Sequence, residues 1–207
     1  ISKGNILALV SDAVTPLISD PGYKLVKTTI EEGFEVFSVP GPSSVIAALT
    51  VSGLPTDTFS FLGFLPNTKS KKKKLLETYL NLGSSLIIFE SGKRLQKTLE
   101  LLAETCRSST EICICRELTK LNEEVTRFKA QEGIMVTKKM RSLKGEFVIV
   151  VGKNEAGDFD LKNLDEQLRK IKKSMSMKDS VDFLAEKLNI PKKIIYKKAL
   201  TIFKDNN

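Results

Sequence analysis

The hydrophobic and polar positions at the start of this chain follow the periods of a strand, a helix and a second strand. Apolar runs at Asn5–Val10 and Phe34–Val39 predict the two strands. Between them, Tyr23–Glu32 has helical spacing, and Gly33 is a typical stop residue for a helix. Short connections between such elements predict the βαβ unit of a mostly parallel sheet.

A second α/β pattern begins after the break "PGPSS" at Pro40–Ser44. Little helical pattern separates its last strands, so we expect antiparallel neighbours among them. The predicted elements are a small apolar helix Val45–Ser52, a strand Thr58–Gly63, a Lys-rich helix Thr68–Leu82, a strand Ser85–Phe89, a helix Lys93–Thr105, and strands Glu111–Cys115, Glu124–Lys129 and Glu146–Val151.

The C-terminal part has a different pattern. A linker over Gly152–Asp158 precedes three amphipathic helices, Leu161–Lys172, Met177–Leu188 and Lys192–Phe203. The last two have helix-turn-helix spacing, which is compatible with DNA contact, with RNA or substrate contact, or with plain helix packing. We therefore expect three parts: residues 1–39 as the remainder of an N-terminal α/β domain, 40–153 as a second α/β domain, and 158–207 as a helical extension.

Composition narrows the chemistry. The 207 residues include no His, which excludes Ser-His-Asp and Cys-His nucleophile pairs and His-ligated zinc. The net charge is +8, and Leu161–Asn207 alone holds 12 Lys/Arg and 6 Asp/Glu, or +6. A second basic cluster comprises Lys69 and Lys71–Lys74. Such clusters attract polyanions, although they also solubilise helix faces.

The three Cys predict a reducing compartment, because an odd count without a disulfide framework is typical of one. Cys113 and Cys115 alternate with Ile112 and Ile114, so both thiols should face one side of a buried strand. We expect packed free thiols there and no metal site. The apolar runs are far shorter than the roughly 18 residues that cross a membrane, so we expect no membrane association.

The segment richest in candidate chemistry is "LVSDAVTPLISDPG", Leu9–Gly22. A polar loop at the carboxyl end of a parallel strand is where α/β sheets bind ligands, and its polar groups could surround an adenosine-type cofactor. The same composition is also common in ordinary turns.

Read with the segments that follow, this loop resembles the "SDAGTPLISDPG" signature of the tetrapyrrole methylase superfamily, in its ribosomal RNA small subunit methyltransferase I branch. "PGPSS", "FESGKR", "RELTKLNEEV" and "KGEFVIVV" follow in that branch's order and spacing, and the match covers about residues 5–152. The C-terminal helices resemble that branch's small helical extension.

The resemblance implies two α/β domains with a cofactor cleft between them, the first domain being incomplete here. It implies S-adenosylmethionine (SAM) as cofactor and 2'-O-methylation of a cytidine in 16S rRNA as the reaction. The implied partner is 16S rRNA or the small ribosomal subunit, and the implied state is a homodimer in the cytoplasm. We also expect the chain to lack the N-terminal segment of the family.

Carried onto this sequence, the family motifs imply three groups of residues. The cofactor-binding candidates are Ala13, Val14, Thr15, Ile18, Ser43, Ser44, Phe89, Glu90 and Leu118. The candidates for a general base or another catalytic group are Glu117, Lys120 and Glu123. The RNA-binding candidates are Lys93, Arg94 and Arg116 in these motifs, together with Lys71, Lys72 and Lys73, which the basic cluster suggests and the family motifs do not.

Some positions depart from the family pattern. Val14 replaces the Gly of "DAGTP", Gly92-Lys93 replaces the Pro-His of "SPHR", and Asn122 replaces the His of "KLHEE". Two hypotheses follow: a SAM-dependent rRNA methyltransferase, or a catalytically inactive split-gene or decaying remnant that acts at most as an RNA- or protein-binding domain. Methylation of a tetrapyrrole precursor is a third reading, disfavoured by the RNA-branch motifs and the basic C-terminus.

Overall fold

The computed structural model describes residues 1–11, 15–153, 161–172, 174–188 and 192–204. These form two compact units, Ile1–Asn154 and Glu155–Asn207. The α/β class expected from the sequence is confirmed, while the three-part division of the chain stays a prediction. Within the described residues, no helix is both long and apolar enough to cross a membrane.

The first unit contains a five-stranded mixed sheet in the order β1-β2-β5-β3-β4. The strands are β1 (Phe59–Phe64), β2 (Ser85–Ser91), β3 (Glu111–Arg116), β4 (Glu124–Lys129) and β5 (Glu146–Val151). β1 and β2 run parallel, whereas β5 is antiparallel to both β2 and β3, and β3 is antiparallel to β4. The expectation of antiparallel neighbours among the last strands is thus confirmed.

Helices cover both faces of this sheet. The first unit contains α1 (Tyr23–Glu31), α2 (Ser44–Ser52), α3 (Lys69–Leu80), α4 (Gly92–Thr105) and α5 (Gly133–Lys139), the last preceded by a short 3-10 turn. α3, α4 and α5 pack on one face, where Leu76, Leu95 and Ile149 are fully buried. α2 packs on the other face through Val45, Ala48 and Leu49.

The expected strands Asn5–Val10 and Phe34–Val39 are not formed: both segments are irregular and mostly exposed. Val39, for example, is 91% exposed, and α1 buries none of its residues. The apolar runs have strand propensity, but a strand also needs a neighbour that completes its backbone hydrogen bonds. A pair of short strands without further packing is marginal at best in water.

The second unit consists of α6 (Leu161–Ile171), α7 (Met177–Leu188) and α8 (Lys192–Lys204). This confirms the three predicted helices to within a residue at each end. Their core is an apolar cluster that includes Leu168, Leu184 and Ile195. The predicted turn at residues 189–191 and most of the predicted linker, residues 154–158, lie outside the described residues.

The cysteines are as expected from the strand pattern. All three are free and buried, and Cys113 and Cys115 belong to the apolar cluster under α2. Their Sγ atoms are 3.8 Å apart. Both thiols therefore do face one side of β3, as the alternation of side chains along a strand requires.

Candidate functional site

A hydrogen bond joins the two loops that the sequence singled out. Thr15 Oγ1 donates to the carbonyl oxygen of Pro42 at 3.0 Å, across 27 positions of the chain. In the first loop, Leu17 and Ser19 have positive φ angles of 72° and 58°, which non-glycine residues rarely adopt. Such backbone strain is often found where a loop has a functional role.

The second loop ends at the start of α2. Ser43 is extended and its carbonyl oxygen accepts from the Ala47 N–H at 2.8 Å, but its side chain makes no capping bond. The first N–H groups of a helix have no partner within the helix. The hydroxyls of Ser43 and Ser44 therefore lie beside a helix N-terminus that can receive an acceptor group. Val45, the next residue of α2, is buried against the sheet.

Apolar rings lie in the same cluster as Val45. The Phe89 ring is 4.9 Å from that of Phe61 and 5.6 Å from that of Phe64, in edge-to-face geometry. Leu118, half-buried, packs against this cluster. Phe89 and Leu118 thus lie in one apolar cluster with α2, the helix that begins at Ser44.

Glu90 was predicted to bind the cofactor together with Phe89. Side chains alternate along β2, however, so the Glu90 side chain lies on the opposite face of the sheet. Its carboxylate is buried and accepts from the Thr98 hydroxyl at 2.6 Å. Arg94 Nε lies 3.1 Å from Oε1, and Lys72 Nζ lies 3.9 Å from Oε2. Burial, the largest influence on the Lys72 ammonium, lowers its pKa. Glu90 is thus the centre of a buried polar network under α3 and α4.

The loop after β3 carries the candidate catalytic residues. Lys120 Nζ donates to Glu117 Oε1 at 3.2 Å and to Glu146 Oε2 at 2.8 Å. The Glu146 N–H also donates to Glu117 Oε1, at 2.8 Å, and this bond is the main reason why the pKa of Glu117 is lowered. The hydrogen bond to Glu146 is the main reason why the pKa of Lys120 is raised. Glu117 and Lys120 are therefore both charged at neutral pH and form an ion pair.

The geometry of this loop depends on its neighbours. Glu117 and Thr119 have positive φ angles of 50° and 65°. A Cβ placed on Gly145, which has φ of 115°, would come within 2.8 Å of the Glu117 carboxyl, so a glycine there leaves room for that side chain. The Glu123 carboxylate accepts from the Thr119 N–H at 2.6 Å. Glu123 thus stabilises the loop turn.

The candidate RNA-binding residues divide into two sets. The side chains of Lys71, Lys73 and Lys93 are exposed. Lys72 is buried at Glu90. Arg116 is also buried, where its Nε donates to the Lys144 carbonyl oxygen at 2.8 Å.

Arg94 is half-buried. Its Nη1 donates to Asn67 Oδ1 at 3.1 Å and its Nη2 to the Leu65 carbonyl oxygen at 2.6 Å, so it links α4 to the segment after β1.

Among the remaining candidates, Ile18 is exposed. Ala13 and Val14 lie outside the described residues. No group of three or more Cys, Asp or Glu side chains that could hold a metal occurs in the part of the chain that the structure describes.

Phe61, Phe64 and Glu146 are neighbours of the candidate residues that the sequence motifs did not indicate. Phe61 and Phe64 are three residues apart, yet both contact Phe89 because the β1–β2 register shifts between Phe61 and Gly63. A glycine within a strand pattern is a known sign of a bulge, so Gly63 was the available signal.

The chain matches a known protein family. The family model for Tetrapyrrole (Corrin/Porphyrin) Methylases matches residues 13–133. The chain is similar to ribosomal RNA small subunit methyltransferase I of Rickettsia prowazekii, 41% identical over 99% of this chain and 68% of that protein. It is also similar to the protein of the same name from Mesorhizobium japonicum, 36% identical over 98% of this chain and 69% of that protein. The chain thus spans about two thirds of the length of these relatives.

A solved structure agrees on the fold. A conserved hypothetical protein from Aeropyrum pernix K1 superposes with a TM-score of 0.52 at 16% identity, over 70% of this chain and 57% of that one. At this identity the likeness supports the fold and nothing finer.

Proposed function

We propose that this chain, which belongs to the tetrapyrrole methylase family and to its ribosomal RNA small subunit methyltransferase I branch, methylates small-subunit rRNA with SAM as the methyl donor. The acceptor we expect is the ribose 2'-hydroxyl of a cytidine in 16S rRNA. A remnant without turnover is not favoured, because relatives with the methyltransferase name align over nearly the whole chain. The homodimer and the cytoplasmic location stay predictions.

The observation that carries the proposal is the bond between Thr15 and Pro42. Two loops that are 27 residues apart meet at this point. The junction places the Thr15 hydroxyl next to the turn that leads into Ser43, Ser44 and α2. Thr15 comes from one segment and Ser43 and Ser44 from another, so the family's cofactor candidates meet from two segments of the chain.

The side chains at this place suit an adenosine-containing cofactor. The Ser43 and Ser44 hydroxyls can donate to and accept from a ribose, and the Thr15 oxygen, whose hydrogen is donated to Pro42, can accept. The half-buried Leu118 offers apolar surface to a flat base, and the buried Phe89 supports that surface from within the cluster. When bound, SAM supplies a methyl group activated by its sulfonium. The residues of this chain would bind and orient it and exclude water from the apolar side.

For the acceptor side we propose Glu117 as the general base. Its lowered pKa keeps it ionised at neutral pH but also makes it a weak base, so its contribution to the rate should be small. Lys120 has a raised pKa, which argues against a role as base. Glu123 supports the loop through Thr119.

We propose the exposed Lys71, Lys73 and Lys93 as phosphate contacts. Each is a point charge that can neutralise backbone phosphate without reading sequence. Lys72 and Arg116 are left out of this surface because the side chains of both are buried.

Calorimetric titration of SAM into the full chain tests the cofactor half of the proposal. The double variant Ser43→Ala/Ser44→Ala should weaken SAM binding roughly 5- to 100-fold, since each lost hydrogen bond contributes about 0.5–1.5 kcal/mol. Thr50→Ala is the matched control, because this hydroxyl lies on the same helix and donates to the Ala47 carbonyl oxygen. Absence of heat at millimolar SAM with the chain folded would contradict the proposal.

Transfer of a labelled methyl group from SAM tests the second half, with small ribosomal subunits and free 16S rRNA as acceptors. We expect label in the rRNA, at a ribose 2'-oxygen, with subunits or with free RNA. Binding of SAM without any label in either acceptor would contradict the substrate and leave the cofactor assignment intact.

A further inference from the structure

The helical unit contains a cleft between α7 and α8 that the methyl-transfer site does not use. Its volume is about 320 Å³. The residues that line this α7–α8 cleft are Lys178, Val181, Asp182, Lys192, Lys193 and Tyr196. Half of them are lysines, and the apolar part consists of Val181 and the Tyr196 ring.

The charges of the cleft do not cancel. Lys192 Nζ lies 2.7 Å from Asp182 Oδ1, and the hydrogen bond from Lys192 is the main reason why the pKa of Asp182 is lowered. Asp182 is thus ionised, and Lys192 neutralises it. Lys178 and Lys193 provide the surplus positive charge in the cleft. Lys197 is exposed one turn after Lys193 and extends that charge along α8.

Two acidic groups outside the cleft lining, Asp179 and Asp165, have other hydrogen-bond partners. Asp179 accepts from the Ser176 hydroxyl at 2.6 Å, which is a cap at the start of α7. Asp165 pairs with Lys198 at 3.0 Å. The acidic partner within the cleft lining is Asp182.

Tyr196 adds a flat ring to this charge. It is 47% exposed and follows Lys192 and Lys193 by one helical turn, so ring and ammonium groups share one surface of α8. A groove of positive charge with an exposed aromatic ring is the usual design for single-stranded nucleic acid, where bases stack on rings and phosphates meet lysines. Lysines, as point charges, do not select a sequence.

We propose that the α7–α8 cleft binds single-stranded RNA, with a base stacked on Tyr196 and the adjoining phosphates at Lys178 and Lys193. The choice of RNA rests on the proposed function, which makes rRNA the polyanion that this chain meets. The contact is sequence-tolerant and requires neither SAM nor the residues of the α2 face.

The same unit offers a matched control surface. Phe183 is 42% exposed on α7, and Lys187 Nζ lies 5.5 Å from its ring centroid. This pair has an aromatic ring and a lysine of similar exposure, but neither residue lines the cleft. A general effect of losing an aromatic ring or a lysine should weaken RNA binding equally for both pairs. Binding in the cleft should be weakened only by changes at Tyr196 and Lys193.

The test is fluorescence anisotropy of the full chain, without SAM, with a labelled oligomer of roughly ten adenosines. Tyr196→Ala should weaken binding about 5- to 100-fold, and Tyr196→Phe should retain it because the ring remains. Phe183→Ala should stay within about twofold of the unchanged protein. Equal losses for Tyr196→Ala and Phe183→Ala, or no RNA binding by the unchanged chain at low salt, would overturn the proposal.

Two further measurements separate stacking from charge. Lys193→Gln should reduce the slope of log affinity against log salt by about 0.7, the value for one phosphate on a single strand, while Lys187→Gln should not. Inorganic polyphosphate has no bases, so Tyr196→Ala should leave its binding unchanged, and a loss as large as that for RNA would refute stacking. Failure of SAM binding with Tyr196-dependent RNA binding intact would contradict only the proposed function.

Discussion

Removal of the buried carboxylate at Glu90 should strongly destabilise the first unit, which contains the sheet and is called the sheet unit below. Glu90→Ala deletes the acceptor of the Thr98 hydroxyl bond at 2.6 Å and the partner of Arg94 Nε at 3.1 Å. It also leaves the Lys72 ammonium, whose side chain is 9% exposed, without its counter-charge 3.9 Å away. The remaining positive groups would face each other in a poorly solvated space.

The expected loss follows from these contacts. Breaking a buried ion pair by removing one partner costs about 3–5 kcal/mol, because the other charge stays buried. A neighbouring pair on α3 provides the control, since Lys73 and Glu77 are 3.8 Å apart but both about half exposed. Glu77→Ala should cost less than about 0.5 kcal/mol, as exposed helix pairs do.

Urea unfolding followed by far-ultraviolet circular dichroism measures the difference. With a slope of about 2–3 kcal/mol per molar urea, Glu90→Ala should lower the midpoint of the sheet transition by roughly 1–2 M. A cycle with Lys72→Met, Glu90→Gln and the double variant should give a coupling of about 0.5–3 kcal/mol. If Glu90→Ala costs no more than Glu77→Ala, or the cycle is additive, the buried network does not stabilise the unit in the way described.

Two further predictions concern backbone packing and acid. A Cβ on Gly92 would lie 1.5 Å from the Leu143 carbonyl oxygen, so Gly92→Ala should cost about 1–3 kcal/mol or more in thermal unfolding. Gly41→Ala, with no atom nearer than 4.0 Å, should be near neutral, and equal costs would contradict the clash. Glu117 has a pKa below its ordinary 4.5, so its contribution to stability is complete above that pH and is lost as the pH falls through the lower folded value. The stability difference between the unchanged chain and Glu117→Gln should therefore shrink as the pH falls below about 4.5, and a constant difference would refute stabilisation of the charged carboxylate by the Glu146 N–H and Lys120.

Much of the sheet unit could be predicted because its strands are buried on both faces or alternate regularly. β2 is an apolar run with all but its last residue buried, which a period analysis detects readily. α5 was missed because seven residues are too few for a clear helical period. The strands expected at 5–10 and 34–39 did not form, since apolar alternation reports propensity and not the presence of a pairing neighbour.

The site was predicted unevenly for a related reason. Thr15 and Ser43 could be placed together because the motif carried both positions. The role of Lys72 was hidden in a run of lysines, where charge alone does not say which side chain turns inward. Leu76, one turn later and fully buried, marks the inward face of α3, and a spacing of four residues places Lys72 on the same face.

The three buried thiols give the molecule an internal reporter of its own unfolding. Cys106 lies under the α4 face and Cys113 with Cys115 under α2, whereas the helical unit from Glu155 to Asn207 has no cysteine. Burial raises the pKa of Cys106 to about 12, so this thiol stays protonated and unreactive while the sheet is closed. The rate of labelling by a thiol reagent therefore measures how often the first unit opens, and it does so independently of the helical unit and without an engineered probe.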